Sequence, residues 1–82
     1  MARITLVEFG GIEVDLRCAE LLRIVMKYAK SGDSDARETR GAALRKLGEY
    51  GCTEALAYIV DNLATSGDSD ARETRRMALD MM

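Results

Sequence analysis

The stretch Ser-Gly-Asp-Ser-Asp-Ala-Arg-Glu-Thr-Arg fills residues 31–40 and returns unchanged at residues 66–75. The two copies lie 35 residues apart, and apolar residues around them match at the same offset. The matched pairs are Leu21 with Leu56, Ile24 with Ile59, Val25 with Val60, Ala29 with Ala64, Ala43 with Ala78, and Leu44 with Leu79. An internal repeat of this length predicts a duplicated unit made of a helix, a polar turn and a second helix.

The apolar residues follow helical spacing on both sides of each turn. On the helices before the turns, which begin near Asp15 and near Thr53, the stripes are Cys18, Leu21, Leu22, Val25, Tyr28 and Ala29, and Leu56, Ile59, Val60, Leu63 and Ala64. On the helices after the turns they are Ala36, Thr39, Ala43, Leu47 and Tyr50, and Ala71, Thr74, Ala78, Met81 and Met82. Val25 and Ile59 lie in the middle of their stripes, so we expect both in the core.

The ends of the predicted helices carry residues that favour caps. Glycine suits the left-handed residue that often follows a helix, and serine, threonine and aspartate suit its first position. Gly32, Gly48 or Gly51, and Gly67 are the predicted C-terminal caps. The predicted N-terminal caps are Thr53 and two capping boxes, Asp35 with Glu38 and Asp70 with Glu73.

The first 16 residues favour a β-hairpin. They are rich in β-branched residues, and Gly10-Gly11 suits a tight turn. The resulting pairs are Phe9 with Ile12, Val7 with Val14, and Thr5 with Leu16 on an apolar face expected to lie on the helices, and Glu8 with Glu13 on the solvent face. An alternative stays open: because residues 6–10 resemble residues 47–51 in sequence, residues 2–9 could be the end of a truncated helix.

Length and composition place the chain among small helical domains. It has 82 residues, of which 48% are hydrophobic and 5% aromatic, so it has material for one core. The predicted fold is mainly α (α+β), a single domain over residues 1–82 with an N-terminal β-hairpin over 1–16 and four helices over 17–82. The net charge of −2 gives no electrostatic attraction for nucleic acid or an anionic membrane, and neither partner is predicted.

The residues that usually perform catalysis are scarce. The chain has no histidine, which removes the usual general base and the commonest metal ligand. Cys18 and Cys52 are expected to be reduced, packed as small apolar side chains in a cytoplasmic protein. No catalytic residue, metal site or cofactor is predicted. A thiol-based redox enzyme using either cysteine stays as an alternative.

The stretch 35–63 carries a pattern that resembles a HEAT-like helical repeat and, more loosely, an armadillo repeat. The pattern consists of Arg40, Ala43, Leu47-Gly48, Gly51, Ala55-Leu56, Ile59-Val60 and Leu63. These are packing positions over about a third of the chain, so the resemblance implies a short stack of paired helices and no reaction. The proline that often opens such repeats is absent. Identical copies are also typical of engineered, de novo or recently duplicated repeat proteins.

The resemblance implies a non-enzymatic structural or protein-binding module, with a small inhibitor that covers a target surface as an alternative. Its partner would lie on the helices that precede the decapeptides. Self-association, most simply as a dimer, is expected through the hairpin or, failing that, the C-terminal methionines. The candidate protein-binding residues are Ile4, Leu6, Arg23, Lys27, Lys30, Tyr58, Asp61, Asn62, Met81 and Met82.

Overall fold

A computed structural model describes residues 5–82 and shows a mainly α protein with a two-stranded antiparallel hairpin. Helices make up 68% of it. The elements, in chain order, are β1 (Leu6–Phe9), β2 (Ile12–Asp15), α1 (Leu16–Tyr28), α2 (Ser34–Glu49), α3 (Thr53–Leu63) and α4 (Ser69–Met81). The predicted fold class and the four predicted helices are therefore confirmed.

The helices form two layers. Helices α1 and α3 lie side by side in one layer, and α2 and α4 lie side by side in the other. Each helix of the first layer packs most extensively on the helix that follows it in the chain, so α1 pairs with α2 and α3 pairs with α4. The hairpin lies on the first layer, where β2 contacts both α1 and α3. Each duplicated decapeptide thus forms the turn before a helix of the second layer and the first part of that helix.

One core joins both layers. Its fully buried members include Leu22, Val25, Leu44, Leu47, Ala55, Ile59, Ala71 and Ala78. Val25 and Ile59 both have 0% exposure, as their positions in the stripes predicted. Both helices of the second layer contribute alanines at their contact faces, which lets neighbouring helices approach closely.

The hairpin has the predicted register. Phe9 pairs with Ile12, Val7 with Val14, and Glu8 with Glu13. Gly10 and Gly11 have φ angles of +55° and +91°, a left-handed backbone that glycine adopts readily. The alternative of a helix end is wrong for residues 6–9; residues 2–4 lie outside the described part. Val14 is buried and the Phe9 ring meets the Tyr58 ring edge to face at 5.4 Å between centroids, so the apolar face lies on the helices near the turn. It does not do so at the predicted Thr5–Leu16 pair, because Leu16 is 45% exposed.

The predicted boundaries hold for α1 and for the left-handed residue after α2. Asp15 caps α1 by accepting from the N–H of Arg17 at 2.9 Å, and Gly51 has a φ of +68°. Gly32 and Gly67 are not in the left-handed region, because their turns continue in extended backbone. Thr53 is the first residue of α3, and its hydroxyl contacts the carbonyl of Gly51 instead of capping the helix.

The caps of α2 and α4 lie two residues earlier than predicted. Asp33 accepts from the backbone N–H groups of Asp35 and Ala36, at 3.1 and 3.2 Å. Asp68 accepts from the N–H of Ala71 at 3.0 Å. The capping boxes assigned to Asp35 and Asp70 are therefore wrong. Both helices start at the serine, so the earlier aspartate of each Asp-Ser-Asp segment lies outside the helix, where an N-cap side chain can fold back.

Cys18 and Cys52 form a disulfide, with 5.8 Å between their Cα atoms. The expectation of reduced thiols is wrong, because the fold places the first turn of α1 next to the start of α3. The bond closes a loop over a sequence separation of 34, which in a chain-entropy estimate stabilises the fold by about 3–4 kcal/mol. Disulfides are typical of oxidising compartments, which weighs against the cytoplasmic location. That location stays a prediction.

The caps can be distinguished by substitution. Asp33→Ala removes a side chain that satisfies two N–H groups of α2 and is expected to lower the free energy of unfolding by about 1 kcal/mol. Asp35→Ala removes an exposed side chain and is expected to change it by less than about 0.5 kcal/mol. Urea unfolding followed by circular dichroism, at low protein concentration, gives both values. A larger loss for Asp35→Ala would contradict the observed cap.

Candidate protein-binding surface

The helices are joined at the turn end of the molecule by a buried arginine. Arg40 of α2 is 1% exposed. Its Nη1 donates to three carbonyl oxygens at the end of α1, those of Tyr28 at 3.0 Å, Ala29 at 3.3 Å and Ser31 at 3.2 Å. The last carbonyls of a helix have no intrahelical donor. Arg40 therefore closes the end of α1 and fixes α2 against it.

Asp70 extends this contact to α4. The side chain is almost fully buried, and one carboxylate oxygen lies 2.8 Å from Nε of Arg37 and 3.3 Å from Nη2 of Arg40. The hydrogen bond from Arg37 lowers the pKa of Asp70 below its ordinary value despite the opposing effect of burial, and Arg40 lowers that pKa further. The same bond raises the pKa of Arg37. Asp70 therefore remains ionised and links α4 to two arginines of α2.

Thr74 completes the contact between α4 and the end of α1. The side chain is fully buried, and its hydroxyl lies 3.0 Å from the carbonyl oxygen of Ala29 and 2.8 Å from that of Asp70. Ala29 thus has Arg40 on one side and Thr74 on the other. The end of α1, the first half of α2 and the first half of α4 form one hydrogen-bonded group, which we call the arginine junction.

Arg75, the counterpart of Arg40 in the second decapeptide, makes two of the equivalent bonds. Arg75 donates from Nη1 to the carbonyl oxygens of Leu63 and Ala64, at 3.1 and 2.8 Å. These residues lie 35 positions after Tyr28 and Ala29, the acceptors of Arg40. Among residues 5–82 no carboxylate pairs with Arg75 as Asp70 pairs with Arg40. The second junction is therefore half formed.

Apolar residues at the end of α4 are also less buried than their counterparts in α2. Leu44 and Leu47 of α2 have 0% exposure, whereas their counterparts Leu79 and Met82 are 51% and 58% exposed. The difference follows from position, because α2 has α4 beside it and no helix of the described chain covers the far side of α4. We call this far side, with Arg72, Arg75, Leu79 and Met82, the open face of α4.

The other methionines of α4 point toward α2. Half-buried Met81 lies against Gly48, where an added Cβ would come within 3.0 Å of its sulfur. Half-buried Met77 lies near Gly41, with its methyl carbon 3.6 Å from the position of an added Cβ. The glycines of α2 thus make room for the methionines. Of the two predicted binding methionines, Met82 is exposed and Met81 is mainly a packing residue.

The residues predicted on α1 and α3 lie in the layer that carries the hairpin. Arg23, Lys27, Lys30, Asp61 and Asn62 are exposed. The amide of Asn62 donates to the carbonyl of Tyr58 at 2.9 Å. Tyr58 itself is half-buried under the hairpin, since an added Cβ on Gly10 would overlap its ring and hydroxyl. The hairpin therefore occupies the part of this layer around Tyr58.

The predicted hairpin contact is described in part. Ile4 lies outside the described residues. Leu6 is 58% exposed and lines a shallow groove of about 220 Å³, together with Cys18, Cys52 and the start of α3. Within residues 5–82 the strand that carries Leu6 makes no contact with α4.

Sequence reasoning missed the arginine junction, the open face and a second groove between α1 and α2. That groove also measures about 220 Å³ and is lined by Arg17, Glu20, Leu21, Ile24, Lys46 and Tyr50. At its rim the guanidinium of Arg17 lies 4.8 Å from the centre of the Tyr50 ring. A signal existed in the duplication, because Leu79 aligns with Leu44 and Arg75 with Arg40. The alignment alone does not tell which copy is covered.

Comparison with known proteins gives no relative: no protein-family model matches the chain, and no curated protein or solved structure matches it. The similarity to HEAT-like repeats thus stays a prediction. Within residues 5–82 no three His, Cys, Asp or Glu side chains come together to hold a metal ion. In the same residues, every helix is too short or too polar to cross a bilayer.

The arginine junction should make stability depend on acid. Because folding lowers the pKa of Asp70, its contribution is fully present above the ordinary pKa of an aspartate and is lost as the pH falls through the lowered, folded value. Asp70→Asn should lower stability near neutral pH and narrow the difference in urea midpoint between about pH 7 and about pH 3.

Asp35→Asn is the matched control, since Asp35 holds the same place in the other decapeptide and is exposed. It should keep the pH dependence of the parent. Equal narrowing by both substitutions would show that the Asp70 junction is not what titrates.

Proposed function

We propose that the chain is a non-enzymatic structural or protein-binding module whose stacked helices present a surface to another protein. The open face of α4 carries the proposal. Leu79 and Met82 expose more than half of their surface, at positions whose counterparts in α2 are in the core. Large apolar side chains that are grouped on one helix face and rimmed by charged residues are typical of protein interaction sites.

The charged part of this face supports the same proposal. Arg72 and Arg75 align with Arg37 and Arg40, the two arginines that hold Asp70. Arg75 is already oriented by the carbonyls of Leu63 and Ala64. An oriented guanidinium loses less side-chain freedom when it binds a carboxylate, and this favours specific pairing. A partner with an acidic residue at the start of a helix would fit this face.

The short stack of paired helices is in keeping with the proposed similarity to HEAT-like repeats. In such architectures each unit buries a face of its neighbour, and the far side of α4 is a face that no helix of residues 5–82 buries. The proposal for an inhibitor that covers a target surface uses the same face and differs in the target alone. The exposed residues and charges of the open face would be the same in a protein of engineered origin.

The alternative of a thiol-based redox enzyme has less support. Cys18 and Cys52 are bonded to each other, and Cys52 is 5% exposed. Both lie at helix starts, which favours a thiolate, but a redox-active cysteine is also typically accessible. The bond instead ties α1 to the start of α3, which supports a structural role.

Extending the chain tests whether the open face is an interface for a helical unit. A copy of residues 48–82, carrying Cys52→Ala within the copy, is appended after Met82 in the 35-residue register. If the face is a docking surface, the added helices should cover Leu79 and Met82. The Tm should then rise by about 5 °C or more, since about 1 kcal/mol of added interface shifts a domain of this size by that amount.

The control is Leu79→Glu together with Met82→Glu in both lengths of chain. In the 82-residue chain the two exposed side chains should be replaced with little change in Tm. In the extended chain the same substitutions should remove the gain. An extension that melts separately and leaves the parent Tm unchanged would contradict the proposal.

A further inference from the structure

The two ends of the helix stack present complementary halves of a single contact. Inside the chain, α2 meets α4 through Arg37 and Arg40, which hold Asp70. Exact duplicates of both halves remain open elsewhere. Arg72 and Arg75 lie on the open face of α4, and Asp35 lies exposed on α2.

The carboxylate half is the face of α2 that points away from α4. Asp35, Ala36 and Thr39 have the spacing of Asp70, Ala71 and Thr74, the residues that α4 turns toward α2. Asp70 and Thr74 are 7% and 0% exposed, whereas Asp35 and Thr39 are exposed. The aspartate and the threonine are thus buried at the internal contact and exposed at the outer one, whereas the alanine is buried at both.

The apolar half of the outer contact is the groove between α1 and α2. Its walls include half-buried Leu21 and Ile24. Their counterparts Leu56 and Ile59 are 2% and 0% exposed, in the core that also holds Leu44 and Leu47 of α2. The groove is therefore the uncovered equivalent of a site that α2 helps to fill inside the chain.

We propose that a second copy of this chain binds head to tail, with the open face of α4 of one copy against α2 and the α1–α2 groove of the next. Leu79 and Met82 enter the groove in the way that Leu44 and Leu47 enter the core. Asp35 of the second copy pairs with Arg72 and Arg75. The inference rests on the proposed function, because it names the partner of the same open face.

A second copy fits better than an unrelated protein because the match includes spacing as well as charge. Thr74 reaches the carbonyl oxygen of Ala29, and the equivalent acceptor on the open face is the carbonyl of exposed Ala64. Thr39 of a second copy has the spacing from Asp35 that would bring its hydroxyl there. The partner thus supplies a carboxylate, a hydroxyl and an apolar groove at spacings that already work once within this chain.

The geometry also sets the form of the assembly. The two faces differ, so each added copy leaves a free face at either end, and the assembly grows as an open chain without closing at two. The internal contact gains from both helices being in one chain, an advantage that separate molecules lack. We therefore expect self-association in the micromolar to millimolar range.

Light scattering coupled to size exclusion, over that concentration range and without reductant, measures the assembly. The mean mass should start near 9.0 kDa and rise with concentration past the dimer. Leu79→Glu should weaken the apparent association at least about tenfold, because it places a charge in an apolar contact. Leu6→Glu on the hairpin is the matched control and should leave the association unchanged.

A charge exchange separates failed docking from failed folding. Asp35→Arg alone and Arg72→Asp alone each place like charges across the contact and should each weaken association at least about tenfold. In an equimolar mixture of the two variants, the open face of Asp35→Arg meets α2 of Arg72→Asp through the parental charges. At the reverse contact the introduced aspartate faces the introduced arginine, and Arg75 is the one like charge that remains. The mixture should therefore recover association to within about threefold of the parent, which also shows that both variants are folded.

A mass that stays near that of the monomer up to millimolar concentration would overturn the inference. A dimer that does not grow further and dissociates on Leu6→Glu would overturn it as well, as would a mixture that fails to recover. In each case the extended chain reports separately on the proposed function: a raised Tm there keeps the open face as a docking surface for another partner. An unchanged Tm of the extended chain would contradict both the proposed function and the head-to-tail contact.

Discussion

The contact of Arg40 with the end of α1 is the interaction on which the helix stack depends. One guanidinium donates to three carbonyl oxygens at the end of α1, and its other terminal nitrogen meets Asp70 of α4. A buried arginine is costly to desolvate, and its Nε has no acceptor within residues 5–82. The position is tolerable because both terminal nitrogens are hydrogen-bonded, and this requires α1, α2 and α4 to hold one relative arrangement.

Because the decapeptide is duplicated, the contact between an arginine and the end of the preceding helix occurs twice, with different neighbouring helices. Arg40 and Arg75 both reach the two last carbonyls of the preceding helix, which is why the turn and the helix start have the same local structure in both units. What differs is the neighbour: Arg40 has α4 beside it, whereas Arg75 faces outward. The exposed apolar residues and the unpaired charges of the proposed interface arise from this difference and not from any change in the decapeptide.

Local features of this fold were predictable from sequence because they depend on neighbours in the chain. The Gly10-Gly11 turn set the register of the hairpin, and helical spacing placed Val25 and Ile59 in the core. The caps were assigned to the wrong aspartates because Asp-Ser-Asp offers two candidates two residues apart, and the first turn of the helix decides between them. Asp33 and Asp35 differ in conformation rather than in chemistry.

Features that depend on contacts between distant parts of the chain could not be predicted from local sequence. Asp35 and Asp70 lie in identical sequence, yet Asp35 is exposed and Asp70 is buried between two arginines. Likewise, the spacing of Cys18 and Cys52 carries no sign of a bond, which exists because α1 and α3 start side by side. The candidate surface follows from the same kind of information, since Leu79 is distinguished from Leu44 solely by the lack of a covering helix.

The most direct test of the account compares Arg40→Met with Arg75→Met in urea unfolding at low protein concentration. Both substitutions keep an aliphatic side chain and remove bonds to two equivalent carbonyls, but only Arg40 also holds a third carbonyl and Asp70. The account predicts a loss of about 3 kcal/mol or more for Arg40→Met and about 1 kcal/mol for Arg75→Met. Equal losses would contradict it, because they would mean that the junction between neighbouring units adds nothing to the arginine's local role.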